Sequence, residues 1–254
     1  MSYCEPPLNI DRGLERIKRI RSRIYRIGIE VEGWWDGLPQ LDARIIPDGS
    51  VVPSDPTTGV PIVWSSHLKG EMNSPILEVS KFPDWMRIFS PQHSNKTCGL
   101  HVHISFKNAL CYQRCMVERY PATIVEYLKR WATKEQLPET HPFWPRLAGQ
   151  NQFCKHEFYA DDQAQNQRKD YDHSRNGHRY TAISYRYSYL STIECRLFPM
   201  FGDVEVAIHA VHQFLDITNA FLFVDAMSRG GKEPRINADL TADTAAIREV
   251  HISV

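Results

Sequence analysis

Apolar and polar positions alternate most strictly over residues 98–106, Cys-Gly-Leu-His-Val-His-Ile-Ser-Phe. Leu100, Val102, Ile104 and Phe106 alternate with His101, His103 and Ser105, the period-two pattern of a strand with one apolar and one polar face. Two imidazoles therefore point the same way, roughly 6–7 Å apart at the usual strand rise. Two further stretches share the pattern. Residues 28–33 set Glu30 and Glu32 around Val31, and residues 192–198 set Glu194 and Arg196 around Cys195. Solvent decoration does not explain three such strands, because the intervening apolar residues demand a buried opposite face. They are expected to be neighbours in one antiparallel sheet with a polar, metal-binding concave side.

Helical spacing appears elsewhere. Ile10, Leu14, Ile17, Ile20 and Ile24 predict a helix over 10–24, capped by Asn9 or Asp11, with a strand following over 25–32. Residues 108–119 and 121–133 predict two helices, the second with Ile124, Val125, Leu128 and Trp131 at core spacing; Pro121 can begin a helix but kinks a continuous one. A long helix over 204–227 closes the fold, with His209 and His212 as surface or packing residues. Residues 60–64 and 68–71 are short extended runs, and Pro75 holds Ser74 extended just after Glu71. Asp48-Gly49-Ser50 serves equally well as a structural turn or as a carboxylate source near the first strand. Trp34 and Trp35 are expected to cover the sheet edge. Residues 144–169, rich in Gln, Asn and Asp, predict loops and short helices, a candidate flap. A weak helix is expected near 242–250.

The 254 residues suit one substantial domain. Its motif-bearing core runs over about 25–225, flanked by a basic segment at 9–24 and an extension at 229–254. Lys+Arg and Asp+Glu balance at 30 each, so neither nucleic acid nor membrane is the expected partner. Arg12, Arg16, Lys18, Arg19, Arg21, Arg23 and Arg26 make only the N-terminal segment basic, as a solvated helix or arm does. The longest apolar clusters, such as 220–224, are too short to span a bilayer. Six cysteines contain no Cys-x-x-Cys unit and no apolar leader is visible, so a reduced, cytoplasmic setting is expected. Cys111 and Cys115, one helical turn apart, read as small apolar residues.

Carboxylates and imidazoles on one face raise each other's free energy unless a cation neutralises them. Glu30, Glu32, Glu71 and Glu194 with His101 form an oxygen-dominated set suited to Mg2+ or Mn2+ rather than to structural zinc. Arg175, Arg179, Arg186 and Arg196 arrive from adjacent segments with planar forks suited to phosphate or carboxylate. Neither a Walker A loop nor Gly-x-Gly-x-x-Gly after a strand is present, so any nucleotide is expected to be held by metals and arginines on the sheet.

Five motifs occur in order: Gly28-x-Glu30-x-Glu32, Glu71-x-x-Ser74-Pro75, Cys98-Gly99-x-His101-x-His103, Asn176-x-x-Arg179 and Glu194-x-Arg196-x-Phe198. In this they resemble the putative amidoligase family, carboxylate-amine ligases of the glutamine synthetase fold. The resemblance implies an α+β fold, a curved antiparallel half-barrel with helices packed outside, which binds ATP and two or more divalent metals. It implies Glu30, Glu32, Glu194, His101 and Glu71 as metal ligands, and His103 as a nucleotide or substrate contact. Arg179 and Arg196 would stabilise phosphate, with Arg175, Asn176 and Arg186 on the cofactor. The implied substrates are a small-molecule or peptide carboxylate and an amine, and the implied product is an amide. Oligomeric assembly is left open.

Three alternatives stand beside this. A cupin-like mononuclear metalloenzyme also places His-x-His on a strand, but cupins add a glutamate a few residues later, and residues 105–110 contain no acid. A degenerate, non-catalytic ligase fold is disfavoured because the motif positions keep their charged residues. A His-x-His hydrolase on an α/β barrel needs strand-helix alternation that the chain lacks.

Overall fold

The alternation over 98–106 forms a strand, Gly99–Phe106, at the middle of a five-stranded antiparallel sheet. The computed structural model describes residues 3–19, 22–40, 43–48, 51, 68–158, 180–186 and 192–230. Its strands are β1 (Ile24–Trp35), β2 (Leu68–Asn73), β3 (Gly99–Phe106), β4 (Ile183–Arg186) and β5 (Thr192–Pro199), in the spatial order β2-β1-β3-β5-β4. The sheet is α+β in context and not closed: helices pack around it. The three charged-pair strands are neighbours, as expected, with β1 and β5 on either side of β3.

Six α-helices are described: α1 (Asp11–Glu15), α2 (Phe82–Phe89), α3 (Ala109–Cys115), α4 (Arg119–Lys134), α5 (Phe143–Leu147) and α6 (Val204–Ser228). The Asp203 side chain accepts from the Glu205 backbone N–H at 2.8 Å and starts α6, as Asn108 does for α3 through the Cys111 N–H at 3.0 Å. Pro121 falls in the first turn of α4, where its missing N–H costs nothing. Helices α4 and α6 meet through Tyr120, which stacks edge-on against Phe221 and shares a 2.9 Å hydrogen bond with Thr218. Phe198 of β5 packs on Phe214 of α6, so one apolar core joins sheet and helices. Among the described residues no helix is long and apolar enough to cross a membrane.

The N-terminal expectation needs correction. In place of one helix over 10–24 stand the single turn α1, a 3-10 turn at Ile17–Arg19, and β1, which begins at Ile24. Gly13 weakens helix propagation and lies so close to Ala220 of α6 that a Cβ there would sit 2.9 Å away. Ile24 is claimed by the ladder opposite Phe106. Residues 82–89 form α2, with Pro83 in its first turn. The runs at 60–64 and 242–250 lie outside the described residues.

Candidate metal and phosphate site

Ladder register brings the charged pairs together. Glu30 lies opposite His101 on β3 and Asn73 on β2, Glu32 opposite Glu71, and His103 opposite Glu194. Antiparallel partners share a face, so four strands contribute to one polar surface.

At its centre His101 is 2% exposed. Its Nδ1 lies 2.5 Å from Glu30 Oε1, and its Nε2 lies 3.7 Å from Glu32 Oε1. Burial pushes its pKa down to about 4, with the Arg196 charge adding to the effect. The ring is therefore neutral near pH 7. A hydrogen on Nδ1 donates to Glu30 and leaves the Nε2 lone pair facing Glu32, the state in which imidazole ligates a metal. The other oxygen of Glu32 accepts the Gly99 N–H at 2.5 Å. Gly99 is required there: a Cβ would stand 2.7 Å from His101 Nε2 and 3.2 Å from Glu32 Oε2.

A second carboxylate group adjoins the first. Gly70 adopts φ +147°, which a side chain rarely tolerates, and a Cβ on it would fall 2.0 Å from the Ile46 carbonyl. That approach lets residue 46 pair with Glu71 through backbone bonds of 2.8 and 2.9 Å, which carries Asp48 to the edge of the site. Acceptor atoms of Glu32, Asp48 and Glu71 lie within 4.8 Å of one another, as do ligand atoms of Glu30, Glu32 and His101. Glu32 belongs to both groups. Burial, followed by the charge of Glu30, raises the Glu71 pKa to about 7. Burial and repulsion from Glu194 raise Glu30 as well. Ser74 ties the end of β2 to β1, its Oγ accepting from the Ile29 N–H at 2.9 Å.

On the other side Arg196 donates through Nη1 to Glu194. Burial opposes the guanidinium charge, but Glu194, Glu30 and Glu32 hold its pKa above the ordinary value. Its Nε is buried without a hydrogen-bond partner. Burial lowers the pKa of His103, and its Nδ1 lies 3.4 Å from Thr192 Oγ1.

Glu30, Glu32, Glu71, His101, His103, Glu194 and Arg196 thus share the polar face. Arg186 lies in β4 opposite Thr192, with its side chain outside the described residues, as are Arg175, Asn176 and Arg179 altogether. Trp35 is fully buried and donates from Nε1 to the Phe89 carbonyl at 3.0 Å, whereas Trp34 stacks on His93. Cys195 faces the core, as alternation requires, and Cys111 and Cys115 are buried there too.

One residue escaped sequence reasoning. Arg146, in the segment expected to form a flap, is 1% exposed and donates to the Arg196 carbonyl at 3.0 Å and the Cys98 carbonyl at 3.3 Å. Its only sequence signal is a cation between Phe143 and Leu147, which are both buried. No protein-family model, curated protein or solved structure matches the chain.

Proposed function

We propose that the chain is an ATP-dependent carboxylate-amine ligase that forms an amide through an acyl phosphate and uses Mg2+ or Mn2+. One observation carries this reading: Glu30, Glu32, Glu71, His101, Glu194 and Arg196 converge from four strands on one face. Such a set is costly unless cations and anions enter it together. The donor set fits a hard divalent ion, since it is mostly carboxylate with one neutral imidazole. Glu30, Glu32, His101, Glu71 and Glu194 would hold such ions. Bound there, they would offset the negative charge of the triphosphate and of the phosphoryl group in transfer. The resemblance to the glutamine synthetase fold points the same way.

The chain's own groups then divide the work. Arg196 presents planar donors to phosphate oxygens, and the resemblance gives Arg179 the same role. The substrate carboxylate oxygen bonds to the γ-phosphorus while the β–γ bridge breaks, and ADP leaves. The amine nitrogen next attacks the acyl carbon and inorganic phosphate departs. A carboxylate of the site takes the amine's proton as the amide forms.

Calorimetric titration with a non-hydrolysable ATP analogue, with and without Mg2+, tests the proposal on the wild type and Glu30→Gln. The expected outcome is Mg2+-dependent binding that weakens by more than about tenfold in the variant. Tight binding of one transition-metal ion without nucleotide binding would favour a mononuclear metalloenzyme, a reading supported by the compact Glu30, Glu32 and His101 group.

A further inference from the structure

Arg146 is the most fully enclosed cation among the described residues, at 1% exposure. Burying a guanidinium is expensive unless a carboxylate contacts it, and among the described residues none forms an ion pair with it. Two main-chain carbonyls take its Nη groups, while Nε has no partner. Those carbonyls are not arbitrary. One belongs to Arg196, whose side chain grips Glu194. The other belongs to Cys98, which immediately precedes the Gly99 N–H that holds Glu32. Between these points the β3–β5 register slips by one residue: Leu100 pairs with Phe198, but Val102 pairs with Cys195. That slip decides where the Arg196 side chain stands relative to His101. The backbone of Arg146 is fixed in turn, its carbonyl lying 2.9 Å from His156 Nε2, and His156 stacks on Tyr3.

We infer that Arg146 is a positioning residue for the metal site: its fork pins the Cys98 and Arg196 carbonyls and so sets Glu32 and Arg196 in their binding places. The inference rests on the metal-binding reading above. A lysine keeps the charge but cannot span both carbonyls. Mn2+ titration of the full chain, with free Mn2+ followed by electron paramagnetic resonance, tests it on the wild type, Arg146→Lys, Arg146→Gln and the surface control Arg130→Lys. Folding is checked by circular dichroism. Both Arg146 variants should bind Mn2+ about tenfold or more weakly, while Arg130→Lys matches the wild type. Millimolar guanidinium should recover part of the affinity of Arg146→Gln. Lowered melting temperatures with unchanged Mn2+ affinity would mean that Arg146 only supports the fold, and would overturn the inference while leaving the metal site standing. A wild type that binds no Mn2+ would overturn both. Should the variants fail to fold, the wild type decides: the Arg146 Nε–H resonance must shift in step with Mg2+ saturation, and an unmoved resonance overturns the inference.

Discussion

On the apolar face of the sheet, Ile29, Val31, Leu100, Val102, Ile104 and Ile193 are at most 2% exposed; on the opposite face His101 is 2% and Glu194 3% exposed. These positions are buried on both faces, but the energetic signs differ. Apolar burial stabilises by roughly 25 cal/mol per Å2. Burying ionisable groups costs free energy that hydrogen bonds and opposite charges only partly return. The apolar face therefore holds the fold together, and the polar face is tolerated for what it binds. Arg196 and Arg146 offset part of its negative charge, while burial first and repulsion between carboxylates second raise the pKa of Glu30 and Glu71.

The sharpest way to break this contrast is Ile104→Ala. It removes fully buried methyl groups and should cost about 2–5 kcal/mol in urea unfolding, with little change in metal affinity of the folded protein. Gly99→Ala should show the reverse weighting. The new Cβ crowds His101 and Glu32, so metal affinity falls while stability drops by about 1–3 kcal/mol. Equal effects of the two variants on Mn2+ binding would refute the division of labour between the faces.

The mildest test is a pH profile of melting temperature. The Glu71 pKa of about 7 in the folded protein exceeds the ordinary 4.5, so the folded state binds more protons between those values. Its contribution is full below about 4.5 and is lost as pH rises through about 7. His101 acts oppositely, because its pKa falls from 6.5 to about 4; its contribution is lost as pH drops through that window. Above 6.5 only the Glu71 slope remains from this pair. With chelator present, the wild type should lose melting temperature as pH rises from 6.5 through about 7 and level off above it, and Glu71→Gln or saturating Mg2+ should flatten the loss. An identical slope in all three samples would show that Glu71 is not the group that titrates.

Much of the site could be read from local pattern. Glu30 with Glu32, His101 with His103, and Glu194 with Arg196 had to share faces once their stretches were strands, because side-chain direction alternates whatever the partner strand is. Glu71 and Ser74 followed from an extended run stopped by Pro75. Asp48 stayed ambiguous between turn and ligand, since its approach to Glu71 depends on Gly70 meeting the Ile46 carbonyl from outside β2. Arg146 was illegible for the same kind of reason: its partners are carbonyls 48 and 50 residues away, and backbone acceptors leave no mark in a sequence. The N-terminal helix was overestimated because isoleucine spacing fits both a helix and the entry to a strand, and only pairing with Phe106 decides for Ile24.

Periodicity by itself therefore determined the three charged-pair strands, which of their residues share a face, and that a polar face lies opposite a buried apolar one. Tertiary structure alone decided the strand order, the one-residue slip between β3 and β5, the place of Asp48, and the burial of Arg146. The physical division is between local sterics, which alternate side chains along any strand, and contacts between distant segments, which exist only once the chain has closed on itself.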